Sequence, residues 1–584
     1  MTGKPVVIFD GNCGFCRIWI RYWEQLTGGA VEYVTSQDAA RRFPEIGLEA
    51  FRESVQLVMP SGEVLRGARA VFTTLTFAPG MAWVLWIYEH VPCVAPASEF
   101  AYGLVAANRS FFYQVTRFTF GCKIAPLRYG RVEWLFLKIL AAIYFIAFAS
   151  LGVQVTGLIG ERGILPVGRY LAAVQNMFGV GGYRMMPTIF WMAHGDWFLR
   201  AVCWAGAVIA LVLMAGRLER TALVALYILY LSLCTAGQDF MSFQWDMLLL
   251  EAGFLAVFLG WSKVMVVLFR WLLFRLMFLS GVVKLTSHDP AWRNLTALDY
   301  HWWTQPLPTP VAWYMHQLPA WFQRGSTAGV FFVELLVPFL IFAPRLWRFF
   351  GAFCILAFQS LIFLTGNYTF FNLLTMALCL FLFDDAALGR WRWLRLRNVR
   401  VKPAVAIGLA VAIVLVSGVE LWDMFEGEQS SLVSAISPFG IVNTYGLFAV
   451  MTTSRPEIIV EGSNDGVTWL DYEFKFKPGD LRHAPRWVEP YQPRLDWQMW
   501  FAALGDWRGN PWFGNFMVRL LEGSPEVLGL LGKNPFPGAP PKYVRAIEYD
   551  YSFTDFATRR ATGDWWNRTP RGRYFPEVSR DLVH

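Results

Sequence analysis

The sequence predicts a multi-domain integral membrane protein with an α/β domain at the amino end, a polytopic helical membrane bundle, and a β-rich exterior domain at the carboxyl end. Three observations predict this order. Hydrophobic residues make up 55% of the 584 residues and charged residues only 16%, against about 25% charged residues in a soluble domain. Long apolar segments are confined to 134–422, and the chain on either side is polar and rich in turns. We therefore expect domains at residues 1–125, 130–422 and 423–584.

The first 125 residues have the pattern of an α/β domain. Apolar runs at 6–9, 31–34 and 55–58 have the length of short strands, and the run at 17–23 has a helical rhythm. No secretory signal opens the chain, because charged residues interrupt its first 30 positions. We therefore expect this domain to be made and kept in the cytosol.

A Cys-x-x-Cys motif, formed by Cys13 and Cys16, lies between the first strand and the following helix. A thiolate at the amino end of a helix is stabilised by the unpaired backbone amides and by the helix dipole. Cys13 would then be the exposed, attacking sulfur and Cys16 the resolving one, with Asp10 and Gly11 supporting the loop. Two other interpretations stay open: a pair of merely buried cysteines, and a metal site, although no second Cys pair or His pair accompanies the motif.

Apolar segments of membrane-spanning character follow, since a helix needs about 20 residues to cross a bilayer. We predict about nine of them, at 134–153, 198–215, 221–236, 246–261, 264–285, 328–343, 346–365, 370–383 and 404–422. Several are short, so we expect one or two of them to be re-entrant or buried rather than spanning.

Basic residues predict the orientation of the bundle, because positive charge favours cytosolic loops. They cluster before the first segment, at 217–220, at 345–348 and over 390–402, whereas the loops 237–245 and 366–369 contain none. The outer loop 154–197 is the exception, because it contains Arg162, Arg169 and Arg184. We interpret the last basic run as an anchor beside anionic lipid rather than a nucleic-acid site. The pattern predicts a cytoplasmic amino terminus and an extracytoplasmic carboxyl terminus, in the inner membrane of a bacterium or the endoplasmic reticulum of a eukaryote.

Charged residues inside the apolar segments need partners, because a lone charge in hydrocarbon costs about 3 kcal/mol or more. The candidates are Asp246, Glu251, Arg275, Lys284 and Glu334. We expect the first two carboxylates to pair with the two cations. Such pairs would either line a polar cavity or client groove, or lock the bundle as structural ion pairs. The spacing of His and Cys residues predicts no metal site, and we expect no cofactor.

The amino-terminal motif resembles a known family. Residues 9–16 look like the opening of the DCC-type thiol-disulfide oxidoreductases. That family often has Pro after the first Cys, where this chain has Gly14. The resemblance covers about residues 4–115, and it implies a thioredoxin-like fold with thiol–disulfide exchange through Cys13 and Cys16. It is also carried by Pro60, Ser61, Gly62, Gly67, Ala68, Ala70, Tyr102, Asn108 and Arg109.

The rest of the chain resembles the lipase maturation factor family over about residues 130–560. The similar stretches are 242–254, 292–298, 304–308, 366–372, 461–466, 477–480 and 493–500. Members of that family are membrane proteins, in eukaryotes of the endoplasmic reticulum, that help secreted lipases to fold or assemble. The resemblance implies a chaperone-like role in protein folding on the outer side of a membrane. The sequence has no GxSxG nucleophile motif, so we do not expect the protein to be a lipase itself.

Our leading hypothesis is therefore a membrane-embedded maturation factor for secreted proteins, lipases among them, fused to a cytosolic thiol-disulfide oxidoreductase-like domain. Its expected partners are secreted client proteins, cytosolic thiol partners and the lipid bilayer, and not nucleic acid. Three alternatives stay open. The first is a membrane enzyme with a carboxylase-like active site in the bundle, where Lys284 or Glu251 would act as acid or base. The others are a thiol redox protein that the bundle only anchors, and a transmembrane redox relay.

Overall fold

The computed structural model describes residues 3–121, 124, 126–389, 397, 402–427 and 430–582. The chain divides into two compact units. The first comprises Met1–Arg128, Phe342–Phe350 and Asp384–Arg390, and the second comprises Tyr129–Ile341, Gly351–Phe383 and Trp391–His584. Of the basic run predicted over 390–402, only Arg397 and Lys402 are among the described residues.

A four-stranded sheet forms the centre of the amino-terminal domain. Its strands are β1 (Val6–Phe9), β2 (Glu32–Thr35), β3 (Gln56–Val58) and β4 (Val64–Arg66). They lie in the order β2-β1-β3-β4, and β1 is parallel to β2 and antiparallel to β3. The parallel pair needs a crossover connection, which is helical here.

Seven helices accompany this sheet: α1 (Gly14–Thr27), α2 (Ser36–Arg42), α3 (Leu48–Glu53), α4 (Gly67–Thr76), α5 (Ala82–His90), α6 (Val94–Ala107) and α7 (Arg109–Phe120). Side chains alternate between the two faces of a strand. Val7 therefore packs with Ile20 of α1 on one face, whereas Val6 and Ile8 pack with Ala39 of α2 on the other. This arrangement confirms the predicted α/β domain.

The region that follows is almost entirely helical. Its helices are α8 (Gly130–Gly152), α9 (Val155–Ile159), α10 (Val167–Phe178), α11 (Gly182–Met185), α12 (Asp196–Met214), α13 (Glu219–Ala236), α14 (Gln244–Val257), α15 (Lys263–Thr286), α16 (Pro290–Arg293), α17 (Ala297–Thr304), α18 (Pro310–His316), α19 (Ala320–Phe331), α20 (Arg345–Thr365), α21 (Phe371–Leu378), α22 (Pro403–Glu426) and α23 (Ser431–Ile436). A π-helical turn, Phe332–Leu336, continues α19.

Seven helices among the described residues are long and apolar enough to cross a membrane. They are α8, α12, α13, α15, α19 with its continuation to Phe342, α20, and α22 as far as Met424. The sequence predicted about nine. The two others, 246–261 and 370–383, correspond to α14, which has 14 residues, and to a short apolar helix at Phe371–Leu382. Most of the side chains of α14 are buried, so neighbouring protein rather than lipid surrounds it.

One end of the helical bundle, which we call the domain end, contacts the carboxyl-terminal domain. After α8, the amide of Gln154 donates to the Gln492 carbonyl at 2.7 Å. After α17, the Pro306 carbonyl accepts a hydrogen bond of 2.8 Å from Arg455. The start of α14 lies at the same end, where Asp246 binds Arg494.

The opposite end, which we call the far end, carries a different set of contacts. Arg397 forms ion pairs with Glu133 at the start of α8 and with Glu219 at the start of α13. The turn after α14 also lies there, because the Trp261 carbonyl accepts a 2.9 Å hydrogen bond from the backbone N–H of Lys402. Helix α14 therefore runs from the domain end to the far end, although it is short.

The carboxyl-terminal domain contains a second four-stranded sheet, formed by β5 (Arg455–Ser463), β6 (Leu470–Tyr472), β7 (Tyr543–Phe553) and β8 (Trp566–Ser579). Its order is β6-β5-β7-β8, and all neighbours are antiparallel. The helices of this domain are α24 (Arg494–Ala503), α25 (Pro511–Glu522), α26 (Pro525–Leu528) and α27 (Phe556–Thr562).

A hairpin turn connects β5 and β6. Asp465 accepts hydrogen bonds from the backbone N–H groups of Val467 at 2.9 Å and Thr468 at 2.7 Å. Gly466 has a φ of +74°, a conformation that glycine adopts without steric cost. The turn residues therefore explain why the chain reverses here.

Asn367 attaches the loop between α20 and α21 to the carboxyl-terminal domain. Its amide N–H₂ group donates to the carbonyls of Leu307 at 3.0 Å and Arg486 at 2.8 Å. Its side-chain oxygen accepts from the backbone N–H groups of Val488 at 2.7 Å and Glu489 at 3.2 Å. Asn367 is only 2% exposed, so water cannot replace these partners.

We predict that Asn367→Asp lowers the free energy of unfolding by about 3 kcal/mol, because a buried carboxylate would face two carbonyl oxygens and lose two donated hydrogen bonds. Thermal denaturation of the detergent-solubilised protein measures this loss. Asn515→Asp, at an exposed position of α25, is the matched control and should have the melting temperature of the wild type. A wild-type melting temperature for Asn367→Asp would contradict the prediction.

Candidate functional site

The dithiol loop connects β1 to α1, and Cys13 occupies the position that caps the amino end of the helix. The backbone N–H of Cys16 donates to the Cys13 sulfur at 3.3 Å. Asp10 shapes the loop in front of it, since its carbonyl accepts from the N–H of Cys13 at 3.3 Å and its side chain accepts from the N–H of Asn12 at 3.0 Å. The structure therefore brings Cys13, Cys16 and Asp10 together at the carboxyl end of β1.

Two glycines allow the close packing of this loop. A Cβ atom at Gly11 would lie 2.7 Å from the side-chain oxygen of Gln37 and 3.0 Å from the Cβ of Thr35. A Cβ atom at Gly14 would lie 3.1 Å from the ring of Tyr113. Gly11 therefore permits the approach to the end of β2, and a larger residue at position 14 would press on α7.

The two thiols have opposite pKa shifts. The hydrogen bond from the Cys16 side chain lowers the pKa of Cys13 to about 6, and the nearby Arg109 contributes in the same direction while burial opposes both. Donation of that hydrogen bond raises the pKa of Cys16 far above its ordinary value, and burial adds to the rise. At neutral pH the pair therefore consists of a Cys13 thiolate and a Cys16 thiol, which is the protonation pattern of an attacking and a resolving cysteine.

A cavity of about 280 Å³ adjoins Cys16. Most of its lining is apolar or aromatic, and Arg109 and Asp10 provide its charged edge, with 3.7 Å between their side chains. The apolar part of the wall includes Phe15, Trp19, Val55, Val105 and Ala106. The cavity can hold an apolar side chain of a partner beside the dithiol. Within the described part of the chain, no group of three or more His, Cys, Asp or Glu side chains is arranged to hold a metal ion.

Of the predicted intramembrane charges, Asp246 lies at the domain end. Its two carboxylate oxygens each accept a 2.9 Å hydrogen bond from the Arg494 guanidinium, and the Tyr230 hydroxyl donates to the same carboxylate at 2.5 Å. Asp246 is 0% and Arg494 1% exposed. We expected Arg275 or Lys284 as the partner of Asp246, and this prediction was wrong because α14 begins against α24, which carries Arg494.

Glu251 lies one and a half helical turns further along α14 and pairs with Arg275 of α15, as expected. The other carboxylate oxygen of Glu251 accepts from the Tyr445 hydroxyl at 2.8 Å and from the backbone N–H of Asn443 at 3.1 Å. Arg275 also donates to the Asn443 carbonyl at 2.9 Å. The segment after α22 is thus held to α14 and α15 through one buried carboxylate.

Lys284 does not pair with Asp246 or Glu251, contrary to expectation. Its ammonium group donates to both carboxylate oxygens of Glu334, at 3.0 and 2.8 Å, and to the Ser280 carbonyl at 3.0 Å. Glu334 lies in the π-helical turn that continues α19. Each predicted carboxylate therefore has one cationic partner, and Asp246 and Glu251 also accept hydrogen bonds from neutral donors, as a buried ion pair requires.

Two arginines of the carboxyl-terminal domain were missing from the predicted site. Arg494 stands in a stretch that the family resemblance singled out, but nothing in its sequence context shows that it enters the bundle. Arg455 is 0% exposed, pairs with Glu457, and donates to the carbonyls of Trp303 and Pro306 at 2.8 Å. No sequence signal identified Arg455, because the strand that it opens contains several charged and polar residues and its full burial is visible only in the structure.

Three family models match separate parts of the chain. The lipase maturation factor transmembrane domain matches residues 131–390, and the lipase maturation factor C-terminal domain matches residues 441–576. The DCC1-like thiol-disulfide oxidoreductase model matches residues 7–115. No solved structure matches the chain.

The proteins that are similar to this chain over most of its length are lipase maturation factors, the family of the transmembrane and C-terminal domain models. Lipase maturation factor 2 of Gallus gallus is 37% identical, over 77% of this chain and 81% of that protein. Lipase maturation factor 1 of Bos taurus is 37% identical, over 76% of this chain and 88% of that protein. Lipase maturation factor 1 of Homo sapiens is 36% identical, over 76% of this chain and 87% of that protein. The chain therefore belongs to the lipase maturation factor family and carries in addition a DCC1-like domain at its amino end.

Proposed function

We propose that this protein is a membrane-embedded maturation factor for secreted proteins, lipases among them, with a redox-active dithiol domain at its amino end. The observation that carries the proposal is that similarity to proteins named lipase maturation factors covers both the membrane region and the carboxyl-terminal domain. The role in lipase maturation comes from the names of those relatives. The contacts between bundle and domain support it, because they hold the domain in one position for a client.

We further propose that the amino terminus is cytoplasmic and the domain end extracytoplasmic. The far end carries basic residues such as Arg220, Arg397 and Lys402, and the first and last of these lie over the Trp261 ring. The domain-end turns 237–245 and 366–369 contain no Lys or Arg. Positive charge favours the cytosolic side, so this distribution supports an extracytoplasmic carboxyl-terminal domain. We propose that the bundle crosses the membrane about nine times, the short α14 included.

A polar cleft in the carboxyl-terminal domain is the surface that we propose for client contact. Its volume is about 490 Å³, and the segment from Asp471 to Arg486 forms most of its wall. Side chains of both charges and backbone groups face it, so it suits an extended polar segment better than an apolar one. Its charged lining comprises Asp471, Glu473, Lys475, Lys477, Asp480, Arg482, Arg486, Asp564 and Arg568.

The dithiol domain would perform thiol–disulfide exchange with cytosolic partners. The Cys13 thiolate attacks one sulfur of a partner disulfide, forms a mixed disulfide and releases the other partner sulfur as a thiolate. Cys16, after losing its proton, attacks the Cys13 sulfur and releases the second partner thiolate. The partner disulfide is thereby reduced by two electrons while Cys13 and Cys16 are oxidised to a disulfide. The reverse sequence would oxidise a partner dithiol.

We predict that the rate at which Cys13 reacts with iodoacetamide is half-maximal near pH 6 and decreases at lower pH. The reason is that the reactive thiolate is protonated as the pH drops through the lowered pKa of Cys13, about 6. Cys16→Ala removes the hydrogen bond that lowers this pKa, so the midpoint should move to higher pH. Peptide mass spectrometry measures both rates, with the exposed Cys93 as internal standard. An unchanged midpoint in Cys16→Ala would contradict the proposed role of Cys16.

We predict that deleting the gene lowers secreted lipase activity several-fold while the lipase transcript stays constant, because unassisted lipase would misfold or be degraded. Activity in the medium and transcript level are measured in the same cultures, and the wild-type gene should restore activity. The Cys13→Ser/Cys16→Ser variant tests separately whether the dithiol contributes. Wild-type lipase activity in the deletion strain would contradict the maturation role.

A further inference from the structure

A second cavity, of about 470 Å³, lies inside the helical region between α15, α17, α19, α20 and α21. This volume falls within the range of about 300–1,000 Å³ that small-molecule sites occupy. Most of its wall is apolar, formed among others by Leu276, Met277, Val330, Phe358 and Phe371. At about 30 Å³ for each carbon, close to the liquid volume of one water molecule, it holds about 16 carbons, enough for one acyl chain but not two.

The mouth of this cavity lies between two candidate membrane spans. Gly329 of α19 and Ala357 and Leu361 of α20 line it, and all three are exposed. Only 28% and 33% of the two spans is buried inside the protein. A Cβ atom at Gly329 would meet nothing within 4 Å. The cavity therefore opens sideways toward the hydrocarbon of the bilayer.

A pair of buried amides lies on the cavity wall. The Asn372 amide donates to the Gln359 side-chain oxygen at 2.7 Å, but the Asn372 oxygen accepts no hydrogen bond from any described residue. The Gln359 N–H₂ group has only the Met277 sulfur as an acceptor, at 3.8 Å. Asn372 is 1% and Gln359 5% exposed. Whichever way the two amides are turned, they leave one acceptor and one donor for a third molecule.

The cavity wall carries no net charge at neutral pH. Lys284 and Glu334 line it as a closed pair, with the Lys284 ammonium also 5.3 Å from the Trp292 ring centre. Burial, assisted by the charge of Lys284, lowers the pKa of His301 to about 4, so this third titratable group on the wall is neutral. An anionic head group would find no free cation here, whereas a hydroxyl group matches the free acceptor and donor of the amide pair.

We propose that this cavity binds a neutral membrane amphiphile with one acyl chain and a hydroxyl-bearing head, a monoacylglycerol being the simplest example. The acyl chain would enter between α19 and α20 and lie along the apolar wall. A head hydroxyl would donate to the Asn372 oxygen and accept from the Gln359 amide. Lipid binding of this kind goes beyond the proposed maturation role and does not depend on it.

The test is photo-crosslinking of the full-length protein in phosphatidylcholine nanodiscs that contain a monoacylglycerol with a diazirine in its acyl chain. We expect crosslinks on peptides of α19 and α20, and competition by unlabelled monoacylglycerol at concentrations at which lysophosphatidylcholine and fatty acid do not compete. Equal competition by fatty acid would overturn the neutral head group. Absence of crosslinks on these two helices would overturn the site.

Matched variants separate binding in the cavity from labelling at the lipid-exposed surface. Gly329→Leu should fill the mouth and abolish labelling, whereas Gly325→Leu, on the same helix but outside the cavity and equally open to a side chain, should label as the wild type. Asn372→Leu should raise the concentration of unlabelled monoacylglycerol that is needed for competition about fivefold to tenfold, as expected for one lost hydrogen bond. Wild-type labelling of Gly329→Leu would overturn the proposal.

Discussion

The guanidinium of Arg494 extends from the carboxyl-terminal domain into the helical bundle and binds both oxygens of Asp246 at 2.9 Å. Neither residue is more than 1% exposed, and removal of one partner from such a pair costs about 3–5 kcal/mol because the remaining charge stays buried. The pair fixes α24 against the start of α14. Further contacts at the domain end, through Gln154, Asn367 and Arg455, join the same domain to the bundle.

A fixed domain gives the proposed function its physical basis. The polar cleft that we propose for clients belongs to the same unit as the helices that anchor the protein in the membrane, so a bound client would be held at one distance from the bilayer. The dithiol domain is a separate unit with its own sheet and its own thiols. We propose that this unit lies in the cytosol, where a secreted client would not reach its thiols. We therefore propose that the two activities are joined in one chain without sharing a site.

Local patterns predicted the parts of this structure that depend on local chemistry. The strand–loop–helix setting of Cys13 and Cys16 follows from residues close in sequence, and Glu251 and Arg275 lie on neighbouring helices 24 positions apart. The partner of Asp246 could not be found in this way, because 248 positions separate it from Arg494. An apolar window also cannot distinguish lipid from protein as the surroundings of a helix, so the sequence could not show which of the short segments protein surrounds, and α14 is one of these. We did not predict the amide pair on the wall of the second cavity, although polar residues in otherwise apolar helices were the available signal for Gln359 and Asn372.

The ion pair between Asp246 and Arg494 joins the carboxyl-terminal domain to the bundle, and a double-mutant cycle tests its contribution most directly. Asp246→Asn, Arg494→Met and the double variant would be compared by thermal unfolding of the purified protein and by secreted lipase activity of cells that make each variant. We predict that each single change destabilises the protein strongly and that the double change costs less than the sum, with a coupling energy of about 3 kcal/mol. If the losses of unfolding free energy in the two single variants add up to the loss in the double variant within about 0.5 kcal/mol, the predicted coupling is contradicted. Single variants with wild-type stability and lipase activity would contradict it as well.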